Sequence, residues 1–362
     1  MLRRALPSIL SVVTAFAVCF VAVALTRGGF GIAFDAYGAM LWGAFGDWPR
    51  FIDGGPVSVV LRPLGEAGTK AAILTLTGLS VAVAFRVGLF NIGAQGQMMV
   101  GALAAAVCGA GVSLPAILHL PLCLLAAAVG GSLYALIAAE LKRRRGVHEV
   151  ISTIMLNWIA IAVIDNWLVV GPLRAAASGD NSVSGTEEIA STAALPLLLG
   201  AGSRLNLGFV LASLCAVLLA IWLQRTRQGY EWRAVGLATE AARAAGIPVG
   251  RRMLEAMAIS GALAGLAGAV LVLGTEQKYP ATLGAPYGFD GIAMALIGNG
   301  HPLGVLASAG LFGALRAGGT RMQLFGVHKS FPELIQGLAL LLVAGKLIWV
   351  ALLSRLSRKG AA

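Results

Sequence analysis

Long apolar runs alternate with short polar interruptions along the chain, and the runs are about as long as a path across a ~30 Å hydrocarbon core. They fall at about residues 8–26, 71–90, 97–114, 119–140, 149–170, 207–223, 254–274, 289–298, 303–317 and 333–353. Within lipid a segment must satisfy its own backbone polar groups, which a helix does. The pattern therefore predicts an all-α, polytopic membrane bundle of about ten spans, with residues 1–362 forming one transmembrane domain. The pair 289–298 and 303–317 is too short for two ordinary crossings. The turn Asn299-Gly300-His301-Pro302 between them suits a broken or re-entrant pair buried by protein. Ten spans divide into five plus five, and an odd number per half would make any internal repeat an inverted one. "GLFNIGAQGQ" and "ALIGNGHPLG" give a weak echo of such a repeat, both being breaks rich in glycine and amides.

Composition agrees: 58% of residues are apolar and 12% charged, against about 45–50% and about 25% in soluble domains. The net charge of +11 reflects loop charge kept on one side of a membrane rather than a nucleic-acid surface. With the N-terminus inside, Arg3, Arg4, Arg86, the run Lys142-Arg143-Arg144-Arg145, six arginines between 225 and 252, and Arg355, Arg358 and Lys359 all lie inside. These are 16 of the 27 basic residues. Asp35, Asp47, Asp53, Asp180, Glu187 and Glu188 fall outside, so the positive-inside rule puts both termini in the cytoplasm. The long outside loops are then about 27–57 and 171–206, the second read as a periplasmic loop. Residues 1–26 carry an apolar stretch longer than a secretory signal core and read as a retained first span. Cys19, Cys108, Cys123 and Cys215 sit inside apolar runs and read as small hydrophobes, implying neither metal nor disulfide.

Chemistry is scarce. No phosphate-cradling G-x-x-x-x-G-K-[ST], no H-E-x-x-H and no Ca²⁺ loop occurs, so no cofactor or metal is expected. The polar residues inside spans carry more. Asn91, Gln95 and Gln97 stand among Gly88, Gly93 and Gly96, a break suited to a transport path, although a simple turn would also account for Gln97. On the fifth span Glu149, Thr153, Asn157 and Asp165 recur at multiples of four and share a slowly drifting face. Asn157 fits either a polar path or interhelical hydrogen bonding, and Asp165 fits an interfacial cap. The second break carries an amide of its own, Asn299, which completes the candidate pathway set of Asn91, Gly93, Gln95, Gln97, Asn157 and Asn299.

The inside loop 224–253 is different in kind. Trp232 to Ala245 predicts a short amphipathic helix, ended by Gly246 and barred from continuing by Pro248. A basic helix lying on membrane lipid is one reading of it. Its many alanines insert poorly into lipid, which favours docking to a partner protein.

At these residues the chain resembles a known family, the permease subunits of bacterial ABC importers for ribose, nucleosides and branched-chain amino acids. The nucleoside branch is the nearest. The resemblance rests on "LTLTGLSVAVAFRVGLFNIGAQGQ" (74–97), "HEVISTIMLNWIA" (148–160), "RAVGLATEAARAAGI" (233–247), "ISGALAGLAGAV" (259–270) and "YGFDGIAMALIGNGHPLG" (287–304). It implies a cytoplasmic ATPase that binds ATP for the complex, a second permease subunit in a heterodimer, and an extracytoplasmic substrate-binding protein. It further implies that Arg233, Gly236, Ala241, Ala242, Gly246 and Ile247 contact the ATPase. The family usually has Glu where this chain has Gln95. Nucleosides are the expected cargo, with ribose or other simple sugars as the alternative. An ion-coupled secondary transporter would want a mid-span carboxylate, and Asp165, Asp290 and Glu333 all fall near span ends.

Overall fold

The computed structural model describes residues 2–27, 29–175, 185–200, 202–283 and 286–345. Asp180, Arg355, Arg358, Lys359 and the end of the expected last span lie outside the described residues. Among those described, the regular structure is helical, and the only extended pairings are the isolated bridges Gly185–Pro280 and Leu197–Asn206.

The helices are α1 (Leu2–Arg27), α2 (Phe30–Phe45), α3 (Trp48–Ile52), α4 (Ser58–Arg86), α5 (Ala94–Gly111) and α6 (Ala116–Arg145). Next come α7 (Glu149–Ala160), continued as a π-helix over Ile161–Leu168, then α8 (Leu207–Arg225), α9 (Arg227–Leu237) and α10 (Thr239–Ala244). The chain goes on through α11 (Val249–Leu271), wound as a π-helix over Val272–Glu276, α12 (Tyr287–Ile297), α13 (Pro302–Met322) and α14 (Phe331–Ala344). Six of these are long and apolar enough to cross a membrane: Leu6–Arg27, Ser58–Arg86, Ala116–Arg145, Glu149–Leu168, Leu207–Arg225 and Val249–Glu276. The expected pair 289–298 and 303–317 resolves into α12, of 11 residues, and α13, of 21. The first is too short to span alone, as a broken segment would be.

One expectation needs correcting. The stretch 27–57, read as an outside loop, contains α2, which packs on α1, α4 and α13. Its residues Ala33, Ala36, Met40 and Ala44 recur at three- and four-residue steps and are all buried. Sixteen residues fall short of a span, so a search for crossing-length runs passes over the element.

Arg86, the Lys142–Arg145 run and the arginines of 225–252 gather where α4, α6 and α8 end and α11 begins, which defines a basic end of the bundle. At the centre are α4 and α11, with 83% and 78% of their apolar windows buried, against about a third in α6, α7 and α8. Apolar side chains gain little from leaving lipid for protein, so close backbone approach between small residues has to hold such helices together. Here α11 carries "GALAG" (261–265): a β-carbon at Gly261 would overlap the Gly131 carbonyl of α6, and one at Gly265 the Ala127 carbonyl. Gly101 of α5 abuts Gly265 as well, so α5, α6 and α11 meet backbone to backbone.

Candidate translocation site

The chain leaves helical geometry between Arg86 and Ala94, and a network of side chains from the break itself and from α5, α7 and α11 surrounds the opening. Asn91 Oδ1 accepts from the Gly93 N–H at 2.9 Å and from Gln97 Nε2 at 3.0 Å. Its Nδ2 donates to Gln97 Oε1 and to Ser260 Oγ of α11, both at 2.8 Å. Ser260 in turn donates to the Ser80 carbonyl of α4 at 2.6 Å. Asn157 of α7 closes the other side, accepting from the Gly96 N–H and donating to the Ile92 carbonyl, each at 2.8 Å. Ser80 is six residues from the end of α4, so the network sits about 9 Å inside the bundle at 1.5 Å per residue. All four amides, Asn91, Gln95, Gln97 and Asn157, are buried.

Gln95 does something separate. Its Oε1 accepts from the Gly288 N–H at 2.8 Å, an unpaired donor in the first turn of α12. A β-carbon at Gly288 would overlap the Gln95 backbone, so the N-terminal turns of α5 and α12 touch inside the bundle. A neutral amide supplies this acceptor without leaving a buried charge. Gly93 gives space as well: a β-carbon there would come within 3.0 Å of Gln97 Nε2 and Thr153 Cβ. The structure thus brings together Asn91, Gly93, Gln95, Gln97 and Asn157 and leaves Asn299 apart. Asn299 lies exposed in the turn between α12 and α13 at the basic end, where its Nδ2 donates to Ser8 Oγ at 3.0 Å. Asp165, read as an interfacial cap, is buried and accepts from the Tyr279 hydroxyl at 2.8 Å.

At the basic end the single helix expected over 232–245 is two, α9 and α10, hinged at Ala238. The ending is as the sequence indicated. Gly246 has φ +78°, Ile247 N–H bonds the Ala242 carbonyl and Gly246 N–H the Arg243 carbonyl, each at 3.0 Å, a Schellman stop. Glu231 anchors α9, accepting from Arg227 at 2.9 Å and from Arg252 of α11 at 2.6 Å. The Arg227 hydrogen bond, with that of Arg252, holds its carboxyl below the usual range. The anchor is therefore present at neutral pH and is lost only as pH falls through that lowered value. Gly236 presses on the end of α4, where a β-carbon would overlap the Arg86 carbonyl. Ala242 is only 4% exposed and packs into the chain's own core, whereas Ala241 and Gly246 are exposed and Arg233 and Ile247 half-buried. Leu237, which the sequence did not single out, stands at the α9–α10 corner with 88% of its surface free.

The opposite end holds a cavity of about 890 Å³, lined by the first turns of α4, the last turns of α13 and the segment 274–277. Small-molecule pockets run from roughly 300 to 1,000 Å³, so it is large enough for one. Arg62, Glu66, Arg204, Gln277, Thr320 and Arg321 give it a polar wall, with Arg204 and Glu66 3.3 Å apart. Thr275 also lines it, and its buried hydroxyl has no protein partner. Behind α13, Arg316 pairs with Asp290 at 2.7 Å, Gln336 donates to Asp290 at 2.8 Å, and Lys70 donates to the Arg316 carbonyl at 3.2 Å. Arg316 stands inside the apolar run 303–317 and Lys70 just before the run 71–90, and cations at such places in a membrane mark a functional or paired site.

The permease component family of the branched-chain amino acid transport system matches residues 65–344. A guanosine ABC transporter permease of Bacillus subtilis is 39% identical over 82% of this chain and 85% of its own length. A nucleoside ABC transporter permease of Lactococcus lactis is 33% identical, covering 79% and 80%, and a glucose ABC transporter permease of Haloferax volcanii is 34% identical, covering 77% and 75%. No solved structure matches. The matched region contains the broken segment, the Asn157 helix, the basic-end hinge and the α12–α13 turn, and on that ground the chain belongs to the permease component family of the branched-chain amino acid transport system.

Proposed function

We propose that this chain is the membrane-spanning subunit of an ATP-binding-cassette importer that carries nucleosides across the bacterial inner membrane. The observation that carries the reading is the identity with the guanosine permease, sustained over four-fifths of both chains. The positive-inside bias supports a cytoplasmic basic end, with both termini on that side. There the α9–α10 corner meets an ATPase, while the 890 Å³ cavity faces the extracytoplasmic binding protein. A second permease subunit, different from this one, completes the path, and lipid covers the outer helix faces. The polar cavity receives the solute, and the Asn91–Gln97–Asn157 network shapes the break along which it passes inward. An inverted five-plus-five arrangement accounts for the meeting of the α5 and α12 N-terminal turns. The glucose permease relative supports simple sugars as the second reading.

Competition separates the two. Cells expressing the whole transporter should accumulate labelled guanosine, with unlabelled uridine or adenosine suppressing uptake and excess ribose or glucose leaving it unchanged. Sugar uptake without nucleoside uptake would move the chain to the sugar carriers.

A further inference from the structure

Three side chains that belong to neither the break nor the cavity meet at the end of the bundle away from the basic residues. His119 and Cys123 are four residues apart on α6 and so share one face of it. Cys108 comes from the last turns of the neighbouring α5. One ligand atom from each, two sulfurs and a ring nitrogen, lie within 4.8 Å of one another. His119 and Cys123 have no exposed surface, and Cys108 is half-buried. We propose that Cys108, His119 and Cys123 form a zinc site that staples α5 to α6.

The donor set selects the ion. Two thiols and an imidazole suit a soft or borderline cation and not oxygen-seeking Mg²⁺ or Ca²⁺. Charge decides within that group. Zn²⁺ with two thiolates and a neutral imidazole is electrically neutral, whereas Cu⁺ would leave a net negative charge in an apolar setting, which is costly. Binding releases the two thiol protons to solvent, so no oxidant or reductant takes part. Zn–S bonds of about 2.3 Å bring ligand atoms to within about 4 Å of each other, a contraction that side-chain rotation can supply.

A second layer already orients the histidine. Its Nδ1 lies 2.8 Å from Thr192 Oγ1, and its Nε2 lies 3.2 Å from the Cys108 carbonyl. Without metal, Nε2–H donates to that carbonyl and Nδ1 accepts from the Thr192 hydroxyl. Zinc would take the place of the Nε2 proton, with Nδ1 then protonated and donating to Thr192, the usual outer-shell arrangement for a ligating histidine. Two residues upstream of Thr192, the loop is tied to α5, where the Ala190 N–H bonds the Gly109 carbonyl at 2.8 Å. The half-buried side of Cys108 leaves a route for the ion and for a water as fourth ligand.

The test uses the full-length chain, produced in zinc-supplemented medium without a histidine tag, purified in detergent and washed with a weak chelator. Mass spectrometry should find one zinc ion per chain. Cys108→Ser and Cys123→Ser should each bring zinc to background, and Cys215→Ser should leave it unchanged. Alkylation should spare the half-buried Cys108 until a strong chelator is added. Background zinc in the unmodified protein would overturn the proposal, as would unchanged zinc in a Cys108→Ser, Cys123→Ser double variant. A Cys108–Cys123 disulfide in the unmodified protein would overturn it too.

Discussion

Gly265→Leu should remove nearly all folded protein from the membrane. The position has no room: a β-carbon there would overlap the Ala127 carbonyl, and Gly101 packs on the same residue from α5. Both neighbours are backbone, which cannot swing aside as a side chain can. Overpacking a fitted core costs typically about 1–3 kcal/mol even where side chains can give way. Here three helices would have to separate, and the interface of α5, α6 and α11 depends on their closeness. Detergent extraction followed by size-exclusion chromatography measures the outcome, with yield of monodisperse protein expected to fall by at least about tenfold. Gly310→Leu is the control, because no atom lies within 4 Å of the β-carbon position there and its yield should hold. Equal yields from the two variants would show that α11 does not depend on backbone contact.

Leu237→Asp should leave the protein folded and stop transport. Leu237 is 88% exposed at the hinge between α9 and α10, so the bundle gains almost nothing from it. Burying a leucine at an interface contributes about 1.5–3 kcal/mol, and a carboxylate in its place must also be stripped of water. ATPase association should weaken by roughly ten- to a hundredfold, since each 1.4 kcal/mol is a factor of ten. Co-purification of the ATPase reads this directly, with yield of the variant chain as the check on folding. Ala242→Asp should behave differently, lowering yield itself, because Ala242 packs into the core of its own chain. Retention of the ATPase and of full uptake by Leu237→Asp would mean that the corner lies on lipid.

Much of this was legible in the sequence, and what was hidden had physical reasons. Glycines and amides at 88–97 marked the break, because polar groups inside apolar runs need a special reason to be there. Their partners could not be read, since Ser260 and Asn157 come from helices far along the chain. The stop at Gly246 was legible from glycine and the proline after it, whereas the hinge at Ala238 was not, alanine being a good helix former. The same loop misled on direction. Alanine spacing showed which residues were small, but only the fold shows Ala242 turned inward and Leu237 outward. His119 and Cys123 stood at a readable four-residue spacing, yet their third neighbour, Cys108, needed the pairing of α5 with α6. The helix α2 was missed because its length is below a span.

The central claim is that this chain is the nucleoside path of an ATP-driven importer, and reconstituted vesicles test it most directly. The chain would be placed in lipid vesicles with its second permease and ATPase, with binding protein and labelled guanosine on one side and ATP on the other. Uptake should require ATP, the binding protein and this chain together, and should vanish when ATP is replaced by a non-hydrolysable analogue. Guanosine entry driven by a proton or sodium gradient in vesicles containing this chain alone would contradict the account and make the protein a secondary transporter.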